Sequence, residues 1–310
     1  MATFTYALNA PMPEVCRGGA LTIGNFDGVH VGHQALLAEC AARGRALDGP
    51  AVAVTFDPHP SQILRPDTIG RPLSTLADRL VLMQKNGADH VLILQTSREL
   101  LQLSARDFFE QIVLRQLGAR ALIEGYNFAF GHNREGTTEV LQSLCLGHEV
   151  ALTLLPAREV LGRPVSSSRI REDLLAGRVD VAQQLLGRPH RIAGRVAVGQ
   201  KRGASLGFPT ANLHEIATLL PGNGVYAVRA IVDGATWPGA ANIGPNPTFG
   251  ENARKVEVHL IGFSGDIYDH DLAVEFVKKI RDTRAFADVS ELTAQIQCDV
   301  ATAQQYAGVS

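Results

Sequence analysis

Apolar positions in the first half of the chain fall in short unbroken runs separated by longer mixed segments. "GALTIGNF" (19–26), "GPAVAVTF" (49–56), "HVLILQ" (90–95), "RALIEG" (120–125) and "EVALTLLP" (149–156) are such runs. They are rich in β-formers and bounded by Gly, Pro or polar residues, as strands buried on both faces of a parallel sheet are. The segments 32–45, 74–86 and 104–117 read as helices, with Ser74 and Ser104 as N-caps and Asp107 in the first turn of the third. Strands alternating with helices predict βαβ units and a doubly wound parallel sheet, which binds ligands beyond the carboxyl ends of its strands.

The texture changes near residue 187. "SSSRIREDLLAGRVDVAQQLLGRPH" (166–190) predicts two short helices ending at Gly187, with Pro189 as a stop signal. Beyond it "RIAGRVAVG", "GVYAVRAIVDG", "KVEVHLIGF" and "DLAVEFVKKI" alternate apolar and polar residues. That period suits antiparallel strands with one face on a core, in a small barrel or a sandwich. A last helix is expected over 288–307. The expected organisation is therefore an α/β domain over 1–186 and a small β domain over 187–310, with no low-complexity linker and no internal repeat.

At 310 residues the chain has room for two domains, and 45% hydrophobic with 19% charged residues fits two buried cores. A net charge of −2 provides no basic footprint, so no nucleic-acid partner is expected. No apolar run approaches the roughly 18 residues of a membrane helix, and "MATFTYALNAPMPEVCRGG" lacks a basic region leading into an apolar core. Neither a membrane partner nor a secretory signal is expected. Cys16, Cys40, Cys145 and Cys298 are scattered without a CxxC pair and read as reduced, mostly buried thiols of a cytoplasmic protein. Nothing in charge or periodicity fixes an oligomeric state.

Two stretches carry candidate chemistry. In "LTIGNFDGVHVGHQALL" (21–37) a strand end runs through Gly24, Phe26, Asp27, Gly28 and Gly32 into a helix, with His30 and His33 three apart. A helix N-terminus offers backbone N–H groups and a positive dipole end, and glycines allow a ligand close approach. Two imidazoles aimed at one point there would stabilise charge on a phosphoryl group. Zinc is disfavoured because no third ligand is near and HExxH is absent, and a dinucleotide fingerprint because GxGxxG is absent. A glycine-rich turn with incidental polar residues stays open.

In "GQKRGASLGFPTANL" (199–213), Gly199, Gly203 and Gly207 could cover phosphates or simply join strands. After Pro209 an extended backbone would point Thr210 and Asn212 the same way, and their oxygens suit Mg²⁺. In "KVEVHLIGF", Val256, Val258 and Leu260 share one face, and Glu257, His259 and Ile261 the other. Glu257 is either a base held on a rigid strand or a solvated glutamate; His259 reads as structural.

"GNFDGVHVGH" (24–33) resembles the HxGH signature of adenylyl- and cytidylyltransferases. With "TFDPHP" (55–60), "YNFAFGHNREG" (126–136) and "VSSSRIRE" (165–172), it is similar to the N-terminal module of bacterial bifunctional riboflavin kinase/FAD synthetases. "LGFPTANL", "GVYAV", "NIGPNPTFG" and "VEVHLIGF", in that order, resemble the riboflavin kinase domain, a small Greek-key barrel. The resemblance implies ATP as co-substrate, Mg²⁺ as cofactor, and riboflavin, FMN and FAD as substrates and products. It implies that His30 and His33 bind the ATP phosphates, and that Ser166, Ser167 and Arg171 hold the β- and γ-phosphates, with Arg163 beside them. Pro58, His59 and Asn127 would lie near the flavin of that reaction, while Phe128 and Phe130 are either site or core. In the barrel Thr210 and Asn212 would hold Mg–ATP and Glu257 would act as general base. Asn246, Pro247 and Thr248 would turn near this face, and Arg284 and Phe286 would contact flavin. The chain departs from the family pattern in having Ser168 for the Thr of Ser-Ser-Thr, Asp57 for Glu and Asn127 for Asp. The rival expectations are that only one module is active, or that the chain is a non-enzymatic flavin or nucleotide sensor.

Overall fold

The computed structural model describes residues 2–65, 70–197, 203, 206–246 and 251–308, without the side chains of 246 and 251–253. By its internal contacts the chain divides into two compact units, residues 1–70 with 76–165 and residues 71–75 with 166–310.

The first unit is built on a six-stranded parallel sheet of β1 (Ala2–Tyr6), β2 (Ala20–Ile23), β3 (Ala51–Asp57), β4 (His90–Gln95), β5 (Ala121–Gly125) and β6 (Ala151–Leu155). Its order is β1-β4-β3-β2-β5-β6, with every pairing parallel. Strands β2, β3 and β4 step one way across the sheet and β5 and β6 the other, so the order reverses between β2 and β5. The five anticipated runs are all strands. The sixth strand, β1, is an edge strand whose residues, Tyr6 apart, are exposed or only partly buried, which leaves it little apolar signal.

Helices connect the strands: α1 (Val31–Ala46), α2 (Pro60–Leu64), α3 (Leu76–Lys85), α4 (Arg98–Gln102), α5 (Ala105–Phe108) and α6 (Thr138–Gly147). Helix α5 runs on through Phe109–Gln116 with wider π-type turns. The Ser97, Ser104 and Thr137 side chains cap α4, α5 and α6 by accepting a backbone N–H of the first turn. Helix α6 escaped the sequence pattern because it exposes apolar side chains, Leu146 at 83% among them. A two-stranded hairpin, β7 (Glu159–Val160) and β8 (Arg163–Pro164), completes the unit.

The second unit begins with the expected helix pair, α7 (Ser167–Leu175) and α8 (Val179–Leu186), the latter ending on Gly187 in the left-handed conformation. Six strands follow: β9 (His190–Ala197), β10 (Ala211–His214), β11 (Gly224–Val232), β12 (Ala235–Asn246), β13 (Glu251–Leu260) and β14 (Asp271–Arg281). They close as β10-β13-β12-β11-β14-β9. Three consecutive strands, β11 to β13, with β14 returning beside β11, make the Greek key. Barrel and not sandwich is the outcome. Two strands exceed the four anticipated: β10 is only four residues long, and Pro238, Gly239 and Gly244 break the alternation of β12.

The closing helix α9 (Val289–Ala307), capped by Asp288, lies on β11, β12 and β14. Ala303 and Ala307 meet Ala227 in a cluster of small side chains that lets helix and sheet approach closely. Arg281 on β14 grips Asp299 through Nε and Nη2 at 3.0 and 2.8 Å, and Asp299 is 4% exposed. Removing one member strands a buried charge. Asp299→Ala is expected to lower the unfolding free energy of the barrel by about 3 kcal/mol in urea titration.

Candidate active sites

The histidine-bearing stretch 21–37 sits where the parallel sheet reverses its strand order. Strands β2 and β5 pair only at Ala20 with Ala121 and Leu21 with Leu122, then part. In the opening the Glu124 carboxyl oxygen accepts the Ile23 N–H at 2.8 Å, taking the place of a ladder bond. Glu124 is 1% exposed, and burial pushes its pKa well above the usual carboxylate range. Sequence reasoning passed over this residue. Its only signal was a lone acid inside an apolar run.

From Ile23 the chain turns through residues 24–30. The Gly24 N–H still bonds Val54 O at 3.0 Å, after which Phe26, Gly28 and Val29 all take positive φ, at 48°, 79° and 39°. Phe26 and Val29 are 1% and 0% exposed and pack with Leu37, Met83 and Val91. The Phe26 ring belongs to the core, so its backbone alone is available to a ligand. Asp27 is buried at 5% exposure.

His30 is the N-cap of α1, its Nδ1 accepting the His33 N–H at 3.3 Å. A neutral His30 ring so bonded carries its proton on Nε2. The two imidazoles stack with centroids 3.6 Å apart and planes 14° apart, and Phe26 lies 5.1 Å from the His33 ring. A Cβ on Gly32 would stand 3.1 Å from His30 Cε1, so glycine there lets the ring fold back over the helix start. Burial, then the neighbouring His30, lowers the His33 pKa well below 6.5, and its Nδ1 is buried without a partner. The expected histidine pair is thus one stacked unit at a helix N-terminus. Arg158, not foreseen, brings its Cβ to the same first turn, 4.0 Å from the Cβ position of Gly32.

The remaining candidates of this unit are less concentrated. Pro58 and His59 follow β3, where Thr96 Oγ1 donates to Pro58 O at 2.6 Å and His59 Nδ1 caps α2 by accepting the Ser61 N–H at 3.2 Å. Asn127 is exposed just after β5, on the same carboxyl edge of the sheet. Phe130 is 9% exposed and belongs to the core, and Phe128, partly buried against that core, stacks on it at 5.4 Å. Arg163 is exposed on β8. Ser166, Ser167 and Arg171 belong to the second unit, where Ser166 caps α7 by accepting the Arg169 N–H at 3.2 Å.

In the barrel, register assembles the candidates. Val256, Val258 and Leu260 face inward at 3%, 0% and 6% exposure, which turns Glu257 outward as anticipated. Glu257 stands directly opposite Asn212 on β10 and opposite Asn242 on β12. Cross-strand partners place Cβ atoms about 5 Å apart, so one carboxylate is flanked by two carboxamides. Asn242 was not singled out from sequence; only the register reveals it. Thr210 lies two residues before Asn212, just ahead of β10. Gly203 O accepts the Phe208 N–H at 2.8 Å, and a Cβ there would come within 2.4 Å of Phe208 O and 3.3 Å of Thr210 Oγ1. His259 bonds Pro209 O at 2.8 Å and fixes the approach to Thr210, a structural role as expected. Gly207, with φ of 89°, is exposed in the turn before Pro209. Gly199, Pro247 and Thr248, and the side chain of Asn246, lie outside the described residues. Arg284 and Phe286 form a separate cluster beside α9, the guanidinium 4.8 Å over the ring and bonded to Gln295 at 3.1 Å.

Comparison with known proteins gives both halves a family. The FAD synthetase profile matches residues 12–169 and the riboflavin kinase profile residues 186–307. A bifunctional riboflavin kinase/FMN adenylyltransferase of Pseudomonas fluorescens is 41% identical over 295 residues, 95% of this chain and 94% of its own length. The chain belongs to the bifunctional riboflavin kinase/FMN adenylyltransferase family. Members from Escherichia coli K12 and Bacillus subtilis are 36% and 33% identical, over 94% and 92% of each chain. A crystal structure titled as a macrolide-efflux protein of Streptococcus pneumoniae superposes with a TM-score of 0.87 at 28% identity, covering 97% of this chain and 99% of its own. Among the described residues no helix is long and apolar enough to cross a membrane.

Glu124 gives this family member a measurable signature. Its folded pKa is raised above 4.5, so above pH 4.5 the unfolded chain sheds a proton that the fold retains, and stability falls as pH rises. Glu124→Gln keeps an acceptor for Ile23 without that proton. It is expected to raise the melting temperature at pH 8 relative to the parent by more than it does at pH 5, as followed by circular dichroism.

Proposed function

We propose that the two constellations divide two reactions, the barrel phosphorylating riboflavin to FMN and the sheet unit adenylylating FMN to FAD. The two activities rest on the family match of both halves. The observation that supports the division of residues is that stacked histidines lie at a helix N-terminus in one unit, while in the other a carboxylate stands opposite an asparagine.

In adenylyl transfer an FMN phosphate oxygen attacks the α-phosphorus of ATP, the α–β bond breaks and pyrophosphate leaves. Positioning and electrostatics suffice. His30 offers its Nε2–H to a phosphate oxygen at the dipole end of α1, beside the backbone of Gly24, Asp27, Gly28 and Gly32. Burial and the neighbouring His30 lower the His33 pKa, and incoming negative charge would raise its proton affinity. Arg163 adds charge, and Ser166, Ser167 and Arg171 are assigned to the β- and γ-phosphates by the motif that contains them. Pro58, His59 and Asn127 are assigned to the flavin.

In the kinase reaction the terminal ribityl hydroxyl attacks the γ-phosphorus and ADP leaves. Glu257 takes the hydroxyl proton. Thr210 and Asn212 supply two neutral oxygens, a set suited to Mg²⁺ arriving on nucleotide phosphates and too small to cage a free ion. Among the described residues no group of three or more His, Cys, Asp or Glu is placed to hold a metal. When bound, Mg²⁺ would neutralise charge on the transferring phosphate. Gly203 and Gly207, with Gly199, are assigned to the covering loop, and Arg284 and Phe286 to the flavin.

The functional boundary on this reading lies between residues 186 and 187. The cytoplasm is its proposed compartment: Cys16, Cys40 and Cys145 are free and buried, and burial pushes their thiols up to about 11, 12 and 11.

Chromatography of products from riboflavin, Mg²⁺ and ATP tests the division. His30→Ala or His33→Ala should lower FAD formation by about 10²-fold or more while FMN accumulates. Glu257→Gln should lower FMN formation by about 10²-fold or more and leave supplied FMN convertible to FAD. Loss of both activities from any one of these variants, in a folded protein, overturns the assignment.

A further inference from the structure

The sheet unit contains a buried cation for which the chemistry above has no use. Arg79 on α3 is 7% exposed. Its Nη1 donates to Asn25 O at 2.8 Å and its Nη2 to Phe56 O at 3.4 Å, while Nε is buried without a partner. The charges acting on it are Asp27 and Asp57, and burial still lowers its pKa. A guanidinium held this way is costly, and an apolar side chain would suit the neighbouring cluster of Phe26, Leu80 and Met83 better.

The two carbonyls it holds explain its presence. Asn25 opens the strained corner leading to His30, and its carbonyl also accepts Thr55 Oγ1 at 3.3 Å. Phe56 lies near the end of β3, two residues before Pro58 and three before His59. One planar group therefore spans the loop assigned to ATP and the loop assigned to flavin. Its two donors have a fixed separation, which a lysine could not reproduce.

We infer that Arg79 is a positioning residue for adenylyl transfer, tying the nucleotide loop to the flavin loop and setting the approach of one substrate to the other. This rests on the assignment of those loops under Proposed function. It extends that assignment to a residue 54 positions from Asn25 that acts through the two backbone carbonyls it holds.

The test uses the full chain carrying Arg79→Met or Arg79→Lys, with FMN and ATP varied independently. Arg79→Met should lower kcat for FAD formation at least tenfold and raise the KM for both ATP and FMN. Arg79→Lys, able to serve one carbonyl, should restore the KM of one substrate and not the other. Riboflavin phosphorylation on the same samples should stay within twofold of the parent. Parent-like kcat and KM values in Arg79→Met overturn the inference, as does a loss of FAD formation matched by loss of kinase activity. If Arg79→Met does not fold, a folded Arg79→Lys with both KM values unchanged overturns it. His30→Ala run in parallel separates the two readings. If it still makes FAD, the loop assignment is wrong; if it is inactive while Arg79→Met is normal, only the tie is wrong.

Discussion

The sheet unit depends on a short stretch of backbone held where L residues rarely go. Phe26 and Val29 both take positive φ, and a non-glycine residue there costs of order 1–3 kcal/mol. Full burial of a Phe or Val side chain contributes about 1.5–3 kcal/mol, so driving both rings and branches into the core offsets the strain. The result is a corner with no freedom to relax. It delivers His30 to the N-cap of α1 and stacks it on His33 at the positive end of the helix. Glu124 supports the same corner from below by taking the Ile23 N–H where β2 and β5 separate. The geometry of this corner is a product of core packing.

The barrel reaches a comparable end by register. Glu257, Asn212 and Asn242 occupy opposed positions on three adjacent strands, and the alternation that buries Val256 and Val258 compels Glu257 outward. A one-residue slip of β13 would put the carboxylate into the barrel core. His259 then fixes Pro209 O, and the tight approach at Gly203 shapes the segment before Thr210. One unit thus aims backbone dipoles and the other aims side chains.

Much of this was legible in the chain because the signals are local. "HVLILQ" is β4 to the residue, the helix expected over 32–45 is Val31–Ala46, and Gly187 ends α8 as its position implied. The histidine corner and the Thr210–Asn212 spacing declare themselves within a dozen residues, since turn glycines, caps and oxygen ligands must be adjacent to act together. What escaped is what acts at a distance. Ile23 and Glu124 are 101 positions apart, Asn25 and Arg79 are 54 apart, and Asn242 meets Glu257 only through strand pairing. Phe26 shows the converse limit: it belongs to the motif by sequence, yet its ring serves the core. Strands β1, β10 and β12 were missed because exposure, brevity and interrupting Pro or Gly weaken the apolar period on which strand recognition relies.

The proposed adenylyl-transfer site depends on His33, its pKa lowered by burial and by His30, stacked with His30 at the N-terminus of α1. Nitrogen-15 NMR of the histidine side chains at pH 6, with and without ATP, addresses this directly. The expected spectrum has a neutral His33 imidazole in the free protein, and added ATP moves the His30 and His33 resonances together. A His33 that is protonated at pH 6 without nucleotide, or a pair that ATP at saturation leaves unmoved, contradicts it.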